Sequence, residues 1–325
     1  MPKYIPQLGV TKHTELTDKE INGVIDHALR SVRDGHLYNI NALKRLLATQ
    51  PHKALEILKK VWTGATGENY CRALTFDGTY IYAGLDTSPA RVIKINPNTM
   101  TAVSLWYGGS GENYCYALTF DGTYIYAGLN TSPAMVIKIN PNTMAKVSSW
   151  TGEYGEHYCR ALTFDGTYIY AGFYWNPAKV SKIDPNTMTR VSSWTGTFPD
   201  INCTALTFDG TYIYAGLDFD SARVIKINPN TMTAVSLWYG GSGEGYCYAL
   251  TFDGTYIYAG LNTSSAMVIK INPNTMAKVS SWTGTSGENY CRALTFDGTY
   301  IYAGLNTSPA MVIRKIMRDI SESGT

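Results

Sequence analysis

One 44-residue unit recurs along this chain and constrains its fold more than any other feature. Its first full copy begins at Cys71 and reads CRALTFDGTYIYAGLDTSPARVIKINPNTMTAVSLWYGGSGENY. All six cysteines lie 44 residues apart: Cys71, Cys115, Cys159, Cys203, Cys247 and Cys291. Six of the seven tryptophans repeat that spacing: Trp62, Trp106, Trp150, Trp194, Trp238 and Trp282. A period of about 40 to 50 residues with several short strands per unit predicts a β-propeller, each unit forming one blade.

Each unit carries the signals of four antiparallel strands. Residues 71–76 alternate in polarity, and an Asp-Gly pair then forms a two-residue hairpin turn before a second strand at 79–83. A third strand is expected at 90–95, and the NPNT turn leads to a fourth at 100–106. The sequence therefore predicts an all-β fold, a six-bladed β-propeller with four-stranded antiparallel blades.

The last unit has no outer strand of its own, because the chain ends PAMVIRKIMRDISESGT without an NPNTM turn. Trp62 is in register with the other periodic tryptophans, so residues 55–62 are predicted to supply the missing strand. The two chain ends would then pair and close the ring, which would remove exposed strand edges. Leu55, Leu58 and Val61 also fit helical spacing, so a helix through KALEILKKVW is the alternative.

Three segments are expected: a helical N-terminal extension at 1–52, the propeller at 53–318 and a flexible tail at 319–325. The first helix, residues 17–34, has an apolar stripe at Ile21, Val24, Ile25, Ala28, Leu29 and Val32. The stripe can pack on the propeller as a lid. Alternatively, it pairs with other copies and makes a homo-oligomer or a larger assembly.

Two resemblances accompany these patterns. The pieces ALTFDGTYIYAG, VIKINPNTM and AVSLW resemble the YVTN-type propeller repeat over residues 55–316. That resemblance implies a propeller of a kind common in cell-surface or exported proteins. The segment LTDKEINGVIDHALRSV, residues 16–32, resembles a stretch near the start of tail-fibre and appendage proteins of phages and prokaryotic viruses, which implies attachment to a particle.

Composition excludes several classes of partner. The net charge is +2 and charged residues make up 16% of the chain, so no nucleic-acid partner is expected. The N-terminus has no apolar core of a signal peptide, and no run is long enough to span a membrane, so we expect no membrane insertion. The compartment stays open between virion-associated and cytoplasmic.

The six cysteines are expected to be buried free thiols. Equivalent positions on six blades stand too far apart for the roughly 7 Å that a disulfide tolerates between Cα atoms. No CxxC or His/Cys pair accompanies them, so no metal and no cofactor is expected.

The sequence also argues against an enzyme. Only His157 lies in the ring, whereas the other four histidines precede it: His13, His27, His36 and His52. No nucleophile elbow, paired-histidine motif or phosphate-cradling loop is present. Units this alike place identical groups around the axis, whereas catalysis needs groups whose pKa values are pushed apart.

Differences among the copies predict where the ring binds. The loops entering each unit and the loops after each second strand share one face, and the third and fourth units depart most there. They add Tyr154, His157, Phe173, Tyr174, Trp175, Phe198, Pro199, Asp200, Phe219 and Asp220. Aromatic residues beside carboxylates predict a protein or glycan partner on this variable loop face. Two alternatives are that they cover the N-terminal helices or have drifted in a tolerant loop.

A second candidate site is the channel mouth, formed by the residue that follows each cysteine: Arg72, Tyr116, Arg160, Thr204, Tyr248 and Arg292. These side chains are expected to face a ring of acids that would neutralise the arginines: Glu68, Glu112, Glu156, Asp200, Glu244 and Glu288. Capture of an anion by the three arginines is the alternative.

The function expected from these patterns is non-enzymatic binding, adhesion or display on a viral or phage particle. A soluble intracellular scaffold that binds a protein partner is the alternative. A hydrolase or lactonase acting at the channel mouth is the third hypothesis.

Overall fold

The computed structural model describes residues 62–307 and 311–316. The chain divides into two units, Met1–Thr63 and Gly64–Thr325, and all described strands belong to the second. These residues form 23 strands, and no helix occurs among them.

The strands fall into six groups, one for each blade. Blade one contains β1 (Cys71–Phe76), β2 (Ile81–Leu85), β3 (Arg91–Asn96) and β4 (Thr101–Tyr107). Blade two contains β5 (Cys115–Phe120), β6 (Ile125–Leu129), β7 (Met135–Asn140) and β8 (Ala145–Thr151). Blade three contains β9 (Cys159–Phe164), β10 (Ile169–Phe173), β11 (Lys179–Asp184) and β12 (Thr189–Thr195). Blade four contains β13 (Cys203–Phe208), β14 (Ile213–Leu217), β15 (Arg223–Asn228) and β16 (Thr233–Tyr239). Blade five contains β17 (Cys247–Phe252), β18 (Ile257–Leu261), β19 (Met267–Ile271) and β20 (Lys278–Thr283). Blade six contains β21 (Cys291–Phe296), β22 (Tyr300–Leu305) and β23 (Met311–Ile316).

The predicted architecture is confirmed at the level of the blades. Each of the first five is a four-stranded antiparallel sheet whose strand order follows the chain, and the sixth is a three-stranded sheet in the order β21-β22-β23. Three predicted segments lie outside the described residues: the helical extension at 1–52, the tail at 319–325, and the closing strand at 55–62 apart from Trp62. They remain predictions.

The Asp-Gly hairpin recurs because its aspartate satisfies three donors at once. In blade one, Asp77 Oδ1 accepts the backbone N–H of Thr79 at 2.7 Å and of Tyr80 at 2.6 Å, and its Oδ2 accepts the Tyr82 hydroxyl at 2.7 Å. Tyr82 is fully buried, so its hydroxyl needs a partner. All six blades repeat these contacts. The tyrosines repeated at this position therefore belong to blade packing.

A lysine on the third strand of each of the first four blades connects that blade to the next one. Lys94 Nζ donates to the carbonyl of Pro141 in the next blade at 2.8 Å and lies 4.0 Å from the centre of the Tyr80 ring. A buried ammonium needs such partners, because moving a charged group out of water without a partner costs free energy. The contact recurs from Lys138, Lys182 and Lys226, which explains why the KINPN sequence varies so little.

The cysteines fill the space between blades. Cys115 is buried against Gly84 of the preceding blade, and its Sγ lies 2.6 Å from where a Cβ on that glycine would stand. All six cysteines are free, as predicted, and burial raises the pKa of the Cys159 thiol to about 12. Cys71 corrects the prediction, because it is exposed whereas the other five are buried. No described blade packs on its side of blade one.

The ring is continuous from blade one to blade six, but the described residues do not close it. Innermost strands of successive blades pack from β1 through β21, and no comparable packing joins β21 to β1. Leu74 on β1 is accordingly 64% exposed, whereas its equivalent Leu118 is 9% exposed. Val312 on β23 is 73% exposed. An apolar side chain is thus exposed on each side of this opening, and the sequence places the closing strand beside β23, as the outer strand of blade six.

Candidate functional site

Three loops of blades three and four lie side by side and build the most distinctive part of the variable loop face. The backbone N–H of Tyr174 donates to the Tyr158 carbonyl at 3.0 Å, which ties the loop after β10 to the loop entering blade three. Ala178 N–H donates to Asp200 O at 2.9 Å, and Asn202 N–H donates to Trp175 O at 2.9 Å. The loop entering blade four is thereby fixed beside the other two.

An aromatic cluster stands on these loops. The rings of His157 and Trp175 lie 4.3 Å apart, and Tyr154 meets His157 edge-on with centroids 6.4 Å apart. His157 Nδ1 is held by the Ser132 hydroxyl at 2.9 Å. Tyr154 is 91% exposed and Phe198, on the adjacent loop, is 81% exposed. These loops thus carry two exposed aromatic residues, Tyr154 and Phe198, and a partly buried pair of rings, His157 and Trp175, inclined at 46° to each other.

The fold does not require these aromatics, because blades one, two and six have small polar residues at the same positions. Where Trp175 stands, blade one has Thr87, whose Oγ1 donates to a carbonyl two residues on at 2.7 Å and closes the loop locally. Where His157 stands, blade two has Asn113, which accepts from Ser88 at 2.8 Å. The substitutions in blade three keep the loop and add aromatic surface.

Several predicted residues are not part of this cluster. Phe173 is fully buried and packs on Trp150 at 5.8 Å, so its assignment to the binding face is wrong. It ends strand β10, at the position that carries a core leucine in the other units. Asp200 is paired with Arg223 at 2.6 Å, and Phe219 lies half-buried beside the same guanidinium, 5.5 Å away. Asp220 is exposed and accepts a hydrogen bond from the Tyr246 hydroxyl.

The predicted neutralisation of the channel-mouth arginines by the ring of acids is also wrong. The glutamates close their own loops instead: Glu112 Oε2 accepts the N–H of Gly109, three residues earlier, at 2.8 Å. Their other oxygens bind cations of outer strands, as Glu112 does with Lys146 and Glu244 with Lys278. A side chain that caps its own loop is not free to turn toward the axis.

Among these acids, Glu156 has three side-chain partners on one carboxylate oxygen. It is fully buried, and its Oε1 accepts Ser181 Oγ at 2.5 Å, Arg190 at 2.8 Å and Lys179 at 3.2 Å. Burial alone would raise the pKa of this carboxyl, but the hydrogen bonds and the Lys179 charge together lower it. Blade two has Met135 and Ile137 where Lys179 and Ser181 stand. The sequence KVSKID was the signal for this network, and sequence reasoning missed it.

Three of the six channel-mouth residues bind partners on the preceding blade, 30 positions earlier. Tyr116 donates to Asp86 at 2.9 Å and Tyr248 donates to Asp218 at 3.0 Å. Arg160 Nε donates to Asn130 at 2.8 Å. Thr204 instead bonds the backbone carbonyl of Cys247. The position after the second strand, rather than the glutamate, therefore supplies the partner.

Tyrosine rings and guanidinium groups stack along the mouth. The Arg160 guanidinium carbon lies 4.4 Å from the Tyr116 ring centre and 4.8 Å from that of Tyr174. Arg292 lies 4.2 Å from Tyr248. Tyr174, predicted for the variable loop face, therefore belongs to the channel mouth. Each stack contributes on the order of 1 kcal/mol and fixes the orientation of the arginine.

The part of the chain that the structure describes contains neither a metal-binding cluster nor a membrane-spanning helix. No group of three or more His, Cys, Asp or Glu side chains there could hold a metal ion. No helix in those ranges is long and apolar enough to cross a membrane.

Comparison with known proteins yields structural likeness only. No protein-family model and no curated protein matches the chain. Hydrazine synthase of Kuenenia stuttgartiensis has a TM-score of 0.68 and 18% identity, with 81% of this chain and 81% of that chain covered. The WD40 repeats of RRP9 have a TM-score of 0.62 and 14% identity, covering 78% of each chain. The computationally designed Ika8 protein has a TM-score of 0.60 and 17% identity, covering 81% of this chain and 76% of that chain.

At these identities the likeness concerns the fold, and a propeller fold hosts many unrelated activities. The chain is a β-propeller, and any indication of what it binds comes from its own loops.

Proposed function

We propose that this protein is a non-enzymatic binding module whose variable loop face takes a protein or a glycan through Tyr154, His157, Trp175 and Phe198. The observation that carries the proposal is the exposure of Tyr154 and Phe198 on the loops that hold the His157–Trp175 contact. Exposed aromatic surface next to polar groups is typical of protein hot spots and sugar platforms. The same loop positions in blades one, two and six carry small polar residues, so blade packing does not account for the aromatics.

The distribution of ionisable groups supports a role without catalysis. His157 is hydrogen-bonded to the Ser132 hydroxyl, and no carboxylate is paired with its ring among the described contacts. Acid–base catalysis needs two groups with contrasting pKa values at one place. A screen for hydrolase and lactonase activity that gave turnover would contradict this part of the proposal.

The binding proposal is tested by restoring the repeat's own sequence. In the full chain, four residues are replaced by those that other units have at the same positions: Tyr154→Ser, His157→Asn, Trp175→Thr and Phe198→Ser. We expect it to fold as before and to lose partner binding by roughly tenfold to several hundredfold, since hot-spot aromatics each contribute about 2 kcal/mol. Glycan arrays and cross-linking to candidate host proteins, each followed by titration of the identified partner, provide the measurement.

The matched control is Val191→Thr, which changes an exposed apolar residue on an outer strand away from this face. It is expected to bind as the unmodified protein does. Equal binding by the fourfold variant and the unmodified chain would place the partner elsewhere and refute the proposal.

The place of display is a separate part of the proposal. The resemblance of residues 16–32 to appendage proteins, with the YVTN-like repeat, supports attachment to a viral or phage particle through a helical N-terminal extension. A soluble intracellular scaffold that uses the same loop face is the second candidate. The likeness to WD40 repeats is compatible with it but shows only the fold.

Self-association distinguishes the two. Under the display proposal, the full chain forms an oligomer or joins a particle, and Ile25→Glu with Leu29→Glu abolishes this because both residues lie on the predicted apolar stripe. Light scattering after size-exclusion chromatography gives the mass. Asp26→Asn, off the stripe, serves as the control. A monomer in all three forms would favour the scaffold.

A further inference from the structure

Two loop positions on the variable loop face set blades three and four apart from the rest of the ring. The first lies two residues after the glycine that begins each entering loop, and the second lies two residues after each second strand. In blades one, two, five and six, all eight residues are serine or threonine: Thr66, Ser110, Ser242, Ser286, Thr87, Thr131, Thr263 and Thr307. In blades three and four, all four are aromatic: Tyr154, Phe198, Trp175 and Phe219. At these positions the aromatic residues are therefore confined to one sector of the face.

Backbone hydrogen bonds hold the loops that carry these four rings side by side. Within blade three, Tyr174 N–H donates to Tyr158 O at 3.0 Å. Asn202 N–H then donates to Trp175 O of the preceding blade at 2.9 Å, and Asp218 N–H donates to Asn202 O at 3.0 Å. The loops therefore follow one another in space as they do in the chain. We call the four rings the aromatic row, in the order Tyr154, Trp175, Phe198 and Phe219.

The rings of the aromatic row differ in exposure. Tyr154 and Phe198 are 91% and 81% exposed, and they occupy the same repeat position one blade apart. Trp175 and Phe219 are half-buried, and His157 packs on the Trp175 ring with centroids 4.3 Å apart. A ligand that covers both exposed rings must reach from one blade to the next, so it must be elongated.

Most carboxylates on these loops are already neutralised. Three are paired with cations on neighbouring strands: Glu153 with Arg190 at 2.7 Å, Glu156 with Arg190 at 2.8 Å and Lys179 at 3.2 Å, and Asp200 with Arg223 at 2.6 Å. The same pairs occupy all three cations. None of these cations is therefore free to bind an acidic ligand.

The remaining charges also disfavour an acidic ligand. Asp218 and Asp220 accept from the hydroxyls of Tyr248 and Tyr246, and no cation among the described residues lies within ion-pair distance of either. Asp218 is buried at the channel mouth, whereas Asp220 is exposed at the end of the aromatic row. Arg160 stacks on Tyr174 at the mouth, and no described contact joins it to a ring of the row. The row therefore favours a neutral ligand.

The groups beside the rings suit sugar hydroxyls better than a peptide main chain. All four rings lie on loops outside the strands, so an extended peptide would find no strand edge there to which it could add. Asn176 and Asp220 are exposed, and the described contacts of His157 include no hydrogen bond to Nε2. These polar groups can bond to hydroxyls, while an aromatic face packs against the apolar face of a sugar ring.

We propose that the aromatic row binds a linear neutral polysaccharide, with sugar rings packed on Tyr154 and Phe198 and hydroxyls bonded to the polar groups beside them. This inference rests on the proposed function, because it names the ligand of the same loop face.

The test is calorimetric titration of the full chain with three neutral hexasaccharides: cellohexaose, maltohexaose and N-acetylchitohexaose. We expect at least one to bind, and its disaccharide to bind at least about tenfold more weakly because it reaches a single ring. Raising the salt from about 50 to 500 millimolar should change the affinity by less than about twofold, since no ion pair forms. Hexagalacturonate, the acidic probe, should not bind.

Tyr154→Ser and Phe198→Ser restore the residue type of the other blades. Each should weaken hexasaccharide binding by about tenfold or more, because each removes one of the two exposed rings. Ser242→Ala is the matched control, since Ser242 has the same repeat position in blade five, outside the row. It is expected to bind as the unmodified protein does. Thermal unfolding of each variant checks that it is folded.

Several results would overturn the inference. They are the absence of binding by all three neutral hexasaccharides at concentrations on the order of 10 millimolar, tighter binding of hexagalacturonate, and unchanged affinity in either serine variant. Equal affinity for the hexasaccharide and its disaccharide would also overturn it. A protein partner that the fourfold variant loses, without any hexasaccharide binding, would overturn this inference and leave the loop-face proposal standing.

Discussion

Replacing Glu156 by glutamine is expected to lower the free energy of unfolding by about 3 to 5 kcal/mol. The carboxylate is fully buried and bonded to Ser181, Arg190 and Lys179. Glutamine keeps the volume but removes the negative charge, which leaves two cations beside a buried neutral group. Breaking a buried pair by removing one partner is among the most destabilising single changes. Urea unfolding at neutral pH measures the loss.

Glu112→Gln is the matched control. Glu112 has the same place in blade two and caps the same loop, but its ion-pair partner is Lys146 alone, and that side chain is 37% exposed. A loss of only about 1 to 2 kcal/mol is expected there. Equal losses in the two variants would show that loop capping, rather than the buried network, accounts for the stability.

The pH dependence of unfolding provides a further readout for Glu156. Its folded-state pKa lies below the ordinary value of 4.5, so the unfolded chain binds the proton more readily. The carboxylate therefore stabilises the fold above that ordinary pKa, and this stabilisation is lost as pH falls through the lower folded-state value. In the Glu156→Gln variant, the free energy of unfolding should not show this loss as the pH falls.

Gly172→Ala is the second change expected to have a large effect, a loss of about 1 to 3 kcal/mol. A Cβ at Gly172 would stand 2.5 Å from Cys203 Sγ and 3.4 Å from the Cβ of both Ala161 and Cys203. Blades three and four would have to separate, because Cys203 is fully buried and cannot turn away. Chemical denaturation again gives the magnitude.

The chain provides its own control in Gly304→Ala. Gly304 has the same position in blade six, but among the described residues no cysteine lies opposite it, and the nearest atom to an added Cβ is Ala293 Cβ at 3.2 Å. We expect that variant to lose clearly less stability than Gly172→Ala. If both lose the same amount, the strain arises within a blade and not between blades.

Much of the blade could be predicted because its determinants are local. An Asp-Gly turn, alternating strands and an NPNT turn need only neighbouring residues to form, so β1 to β4 occur close to where the sequence placed them. The periodic cysteines likewise predicted buried thiols, since a residue in a repeat meets the same surroundings in each blade. Cys71 is the exception because it begins the first described blade.

The site was harder to predict, because which side chains meet depends on the offset between blades. Phe173 and Tyr174 are adjacent in sequence, but strand alternation buries the first in the core and turns the second to the channel mouth. The mouth arginines were expected to pair with glutamates close to them in sequence. Arg160 instead donates to Asn130, 30 residues earlier on the preceding blade, and Arg72 binds Asp86 on its own blade.

The 44-residue repeat, on its own, determined the number of blades, their strand order and the residues that pack them, because each of these is fixed within one unit or between identical units. Only the tertiary structure decided which departures from the repeat share a surface and which charges find partners. Those outcomes depend on distances across blades, and a period in sequence carries no information about which of two neighbouring side chains turns toward the axis.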